Sequence, residues 1–219
     1  MTNIIQTAYK LYRKDILSGR IFSLVTILLQ TLVFFPIVGA IIFSYFFPKV
    51  LTWYYQKLSG EKLNPNYHVS FISLLVPSMI ASIGGIFLFL GIFSVIGLLS
   101  HSSSYSIYNL SAFHASSGFF SVFMVFEIIA LIVYILSLYS FYGSLFGKVN
   151  KYKLDFSNSI KIFAYVLLIG IVVYGIYYIL ILVFSPMAGF VGEIIGTIFM
   201  IIIGIQLYYL VPMLVAKNL

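Results

Sequence analysis

Cysteine is absent from the 219 residues, and charge is nearly so: Lys, Arg, Asp and Glu together make up 8% of the chain, against 62% apolar residues. The first absence excludes disulfides, thiolate metal sites, iron–sulfur clusters and cysteine nucleophiles. The second excludes an ordinary soluble domain, in which roughly a quarter of residues are charged, and no polar interval is long enough to fold separately. Several motifs are missing too. There is no phosphate-binding glycine loop, no nucleophile elbow, no His-Glu zinc pattern and no haem-type pair of intramembrane histidines, so no enzyme class, metal or cofactor is expected.

What remains is apolar sequence punctuated by basic residues. Residues 21–48, between Arg20 and Lys49, carry no formal charge and are broken by Phe34-Phe35-Pro36. As one helix the run exceeds the roughly 20 residues that cross a ~30 Å hydrocarbon core; as two helices it must borrow its flanks. Residues 16–35 and 36–55 then form a hairpin, with Arg20 and Lys49 snorkelling to the headgroups and Pro36 opening the second helix, where its missing N–H is not needed.

The basic residues choose between the two. Four Lys and Arg precede Ile21, three lie from Lys49 to Lys62, none from Leu63 to Gly147, four from Lys148 to Lys161, and one is Lys217. A hairpin puts all twelve on one side, whereas a single crossing splits them eight to four, so the positive-inside rule favours the hairpin. The expectation is one all-α domain over 1–219: an amphipathic surface helix over 1–15, then a polytopic bundle of six spans over 16–35, 36–55, 69–99, 119–147, 162–185 and 191–216. Both termini are expected on the cytoplasmic side of the cell membrane. The N-terminus lacks a small-x-small cleavage site, so it is expected to be retained. The net charge of +7 flanks apolar spans and forms no soluble patch, which points to anionic lipid headgroups and away from nucleic acid.

Small residues mark packing faces: Ala81 and Gly85 in the third span, Gly143 and Gly147 in the fourth, and Gly192, Gly196 and Gly204 in the last, where Met200 completes a stripe at four-residue spacing. Such stripes accept another helix, either within the chain or from a partner subunit or second copy.

Glu127 is the sole formal charge between Lys62 and Lys148. Nine residues into its span it lies ~12–14 Å below the outer surface, where a carboxylate costs a few kcal/mol and turns into the bundle. It is read either as a titrating group for a proton or cation, or as a protonated side chain tying helices together. Glu193, at the start of the last span, suits the positive end of a helix dipole. Gln30 and Gln206 suit interhelical hydrogen bonds. His101 and His114 share the serine-rich interval 100–118, read as an outer loop that also holds the Asn109-Leu110-Ser111 glycosylation triplet; two histidines without a third ligand make a weak metal site.

Four stretches carry a resemblance: the basic N-terminal helix; Phe35-Pro36-Ile37-Val38-Gly39 leading to Gly60 and Pro65; Leu74-Leu75-Val76-Pro77; and Ser185-Pro186-Met187-Ala188-Gly189-Phe190-Val191-Gly192. In these the chain resembles a family of multi-helix prokaryotic membrane proteins, common in archaea, whose function is unknown. Where this chain has Asn64-Pro65-Asn66, those proteins tend to have Leu-Pro followed by acidic or aromatic residues. The resemblance implies a helical membrane fold and carries no catalytic residues. From the residues, an accessory or scaffolding subunit docking through its glycine faces is expected first, a proton or small-solute transporter using Glu127 second, and a lipid-handling protein third.

Overall fold

The computed structural model describes residues 2–32, 35–100, 108–184 and 190–219, and every regular element among them is helical. In order these are α1 (Thr2–Tyr12), α2 (Ile16–Leu32), α3 (Val38–Ser59), α4 (Tyr67–Ser100), α5 (Tyr108–Leu145), α6 (Phe156–Phe184), α7 (Val191–Phe199), a π-helical turn (Met200–Gly204) and α8 (Ile205–Asn218).

Three caps start the helices that leave one end of the bundle. Asp15, Asn66 and Asp155 precede α2, α4 and α6, and their side-chain oxygens accept the backbone N–H groups of Ser18 at 3.0 Å, Val69 at 3.3 Å and Asn158 at 3.0 Å. Each supplies a partner to a first-turn donor that has none inside its helix. The Asn158 N–H, with Lys153 Nζ 3.3 Å away, holds the Asp155 carboxyl below the usual carboxylate value. A depressed folded value gives stability that is complete above the unfolded value near ~3.9 and fades as pH falls through the folded one. Asp155→Ala is therefore expected to lower stability at pH 7 by about 1 kcal/mol. In thermal melts of detergent-purified protein the gap between variant and parent should close in strong acid.

At the same end, α5 stops at a glycine. Gly147 has φ +69°, Lys148 N–H donates to Gly143 O at 3.0 Å and Gly147 N–H to Ser144 O at 3.1 Å, which together form a Schellman cap. A Cβ on Gly147 would lie 2.7 Å from the Asn64 carbonyl oxygen, since the loop before α4 crosses the cap. Asn66 N–H donates to Ser144 O at 2.8 Å, and the Ser70 and Ser144 hydroxyls bond at 2.7 Å. Gly147→Ala should cost about 2 kcal/mol from the left-handed backbone alone, and more from the clash, read as a fall in Tm. Lys148 donates to the Ala216 carbonyl at 3.2 Å, and Lys217 pairs with Glu61. Both long loops and the C-terminus thus meet at this basic end.

The core gathers there too. Leu51, Tyr54, Tyr55 and Leu58 of α3, Leu138, Phe141, Tyr142 and Leu145 of α5, and Leu210–Ala216 of α8 are buried, and the Ala8, Leu11 and Tyr12 face of α1 packs onto them. Farther along, α4 exposes Phe89, Leu90, Phe93 and Ile96, and α5 exposes Met124, Val125, Ile128 and Ile129. A surface this apolar suits lipid.

The number of spans differs from the expected six. Four helical stretches, Tyr67–Ile96, Ser117–Leu145, Phe156–Phe184 and Val191–Asn218, are long and apolar enough to cross a membrane; α1 and α2, bent by 97°, would add a fifth if they act as one. These make the chain a membrane-spanning helix bundle. The first pair does fold back as neighbouring helices, but α2 has 17 residues with Arg20 inside it, and α3 carries Pro48, Lys49 and Lys57. Borrowed flanks bring charge with them. The serine-rich interval differs as well: α5 already begins at Tyr108, so Asn109 and His114 are helical, whereas His101 and residues 185–189 lie outside the described residues.

Candidate functional site

Beyond the basic end, α4 and α5 approach closely because α4 carries glycine. A Cβ on Gly84 would lie 2.8 Å from Phe126 Cβ and 3.6 Å from Glu127 Oε1, and one on Gly91 would lie 3.4 Å from Phe119 Cβ. Phe87 and Phe126 stack beside this contact at 5.8 Å. The carboxylate of Glu127 therefore rests against bare α4 backbone about midway along the pair.

Two cavities meet at that carboxylate. One, of about 550 Å³, is bounded by Pro36, Ala81, Ser82, Gly85, Leu88, Phe89, Ile92, Phe123 and Glu127. The other is an open groove of about 220 Å³ lined by Pro77, Ser78, Ala81, Glu127, Ala130, Leu131 and Tyr134. Glu127 and Ala81 line both. On α5 the second set falls at i, i+3, i+4 and i+7, a single helix face.

The polar groups here lack partners. Glu127 is half-buried and makes no hydrogen bond or ion pair among the described residues, and the Ser82 hydroxyl is buried without one. A buried hydroxyl usually bonds at least the carbonyl one turn back. Two orphaned oxygen-bearing side chains on the wall of one cavity leave donor and acceptor capacity facing an otherwise apolar space.

The small residues named from sequence divide by role. Ala81 lines both cavities, and Gly85 has nothing within 4 Å of a Cβ, so it widens the larger cavity and touches no helix. Gly143 lies against Val149 of the following loop, where a Cβ would come 2.9 Å from Cγ2, and Gly147 is the cap described above. A Cβ on Gly196 would lie 2.8 Å from the Tyr177 ring and one on Gly204 3.0 Å from Val173, both on α6; Gly192 is buried on the same stripe. Glu193 is exposed in the first turn of α7, where no side-chain cap bond forms. Among the described residues no three His, Cys, Asp or Glu side chains come close enough to hold a metal ion.

No protein family, curated protein or solved structure matches this chain. The resemblance drawn above therefore rests on its residues alone, and the site has to be read from its own chemistry.

A second polar cluster sits across the bundle, and sequence reasoning reached only its ends. Gln206 is fully buried; it accepts from the Tyr54 hydroxyl at 3.2 Å and donates to Ser23 Oγ at 3.4 Å and to the Ile201 carbonyl at 3.2 Å. That carbonyl belongs to the π turn, whose wider winding disturbs the regular backbone ladder. Gly19 makes room, for a Cβ there would lie 2.3 Å from Gln206 Oε1. Gln30 donates to the Tyr209 hydroxyl at 3.0 Å, joining α2 to α8. Ser82, Tyr134 and Gly19 were not singled out from sequence. The available signal was Tyr134 two turns from Glu127 on one face.

Proposed function

We propose that this chain is a proton-coupled membrane transporter for a small solute, with Glu127 as the titrating group. One observation carries the reading: an unpartnered carboxylate stands on the wall shared by two cavities, beside an unpartnered buried hydroxyl. An intramembrane carboxylate facing a cavity is a functional hypothesis by default, because its cost is tolerated only where it does something. Protonated, Glu127 is neutral and can donate; ionised, it attracts a cation or proton from the cavity. The decisive experiment is reconstitution into vesicles with an imposed pH gradient, read by an internal pH dye, with and without Glu127.

The accessory-subunit reading ranks second. Its support is the exposed apolar surface of α4 and α5, which either lipid or a partner helix could cover. Against it, Gly196 and Gly204, two of the glycines that would dock a partner, face α6 of the same chain, and Gly147 is a helix cap. A non-catalytic role is common to both readings.

For orientation we place the basic end, with both termini, on the cytoplasmic side, where anionic headgroups meet the Lys and Arg side chains. The lack of native cysteine makes this simple to test. Single cysteines at Ser59, Ser103 and Ser157 should react with an impermeant thiol reagent applied outside intact cells at Ser103 only. Reaction at Ser59 with none at Ser103 reverses the orientation.

A further inference from the structure

We infer that the cavity between α2, α5, α6 and α8 is a binding site for a small, neutral, planar solute bearing a hydrogen-bonding group, of the size of phenol or indole. The cavity measures about 230 Å³, and its wall includes Gln30, Tyr134, Tyr174, Met200, Tyr208 and Tyr209. An apolar cavity of ~150 Å³ is enough to hold benzene, so this one admits a single aromatic ring with a polar substituent.

The lining selects against charge. None of its residues is Lys, Arg, His, Asp or Glu, so an ion would enter without a counter-charge, which is costly at membrane depth. What it offers are ring faces, a soft thioether and groups that both donate and accept. These groups are largely unspent. Gln30 Nε2 donates to the Tyr209 hydroxyl, which leaves the hydroxyl proton and Gln30 Oε1 unpartnered among the described residues. The Tyr134 and Tyr208 hydroxyls make no hydrogen bond there either. A ligand with one donor and one acceptor face would satisfy them.

The wall is also built, not left over. The π turn sets Met200 beside Gly204, where a Cβ would lie 2.8 Å from Met200 Sδ, so the thioether folds over the glycine and stays in the cavity wall. Tyr174, 51% exposed on α6, stands at the mouth. Tyr134 lines this cavity and the smaller one at Glu127, two turns away on α5. Binding stands on this cavity alone; that the bound molecule is also the transported solute rests on the transport reading above.

The test is equilibrium binding of radiolabelled indole to the detergent-purified chain. One saturable class of site is expected. Tyr209→Phe and Gln30→Leu should each weaken it about three- to tenfold, the worth of a hydrogen bond or two. Tyr134→Phe and Tyr208→Phe keep ring and volume and guard against misfolding; at least one should weaken binding alike, and Tyr178→Phe, outside the cavity, should not. Non-saturable uptake, or binding equal in all these variants, overturns the inference. Glu127→Gln should still bind indole. Retained binding without proton flux in the parent chain would sink the transport reading and spare this one, and flux without binding would do the reverse.

Discussion

Replacing Glu127 by Gln is expected to abolish proton flux in reconstituted vesicles, a fall of about tenfold or more, while melting temperature and yield stay near those of the parent. The amide keeps the length and planar shape of the side chain, and it can still donate and accept hydrogen bonds. It cannot exchange a proton. Because the carboxylate has no partner among the described residues, the substitution breaks no contact, so little stability should change. Glu127→Asp separates position from chemistry: it retains the proton but withdraws it by one methylene from the shared wall, and intermediate flux is expected. Undiminished flux in Glu127→Gln would end the proton-coupled reading.

The second large effect is one of stability. Gly19→Val should destabilise the bundle by about 3 kcal/mol, because the new side chain must occupy the place of Gln206 Oε1. Gln206 is fully buried and joins α8 to both α2 and α3, so displacing it strands the Tyr54 hydroxyl and Ser23 Oγ as well. The proof is a partial rescue. Gln206→Ala in the Gly19→Val background removes the obstructing amide and should recover part of the loss, although alone it costs stability. If the two losses simply add, the contact is not what limits this site.

Much of the architecture could be read from the chain because membrane helices announce themselves by uninterrupted apolar length. The runs that became α4, α5, α6 and α7 to α8 needed nothing else. Glu127, Gln30 and Gln206 stood out for the complementary reason, as lone polar groups in such runs. The rest depended on direction and on distant neighbours. Gly84 and Gly85 differ by about 100° around α4; spacing alone favoured Gly85, yet Gly84 meets α5 and Gly85 faces the cavity. The start of α5 was hidden because Ser and Asn compete with helix in isolation. Pairing Gly19 with Gln206, or finding the π turn, requires knowing which helices touch. The span count failed for a related cause: the charge rule says on which side loops lie, not whether a 17-residue helix reaches across.

The uneven packing of the bundle has a mechanical meaning. The hydrogen bonds that tie α4 to α5 lie at the basic end, where Asn66 and Ser70 meet Ser144, whereas from Gly84 onward the two helices meet through close apolar contacts of Phe87, Phe119 and Phe126. Apolar contact has no preferred direction, so a small slide of α4 along α5 costs less at the level of Glu127 than at the basic end.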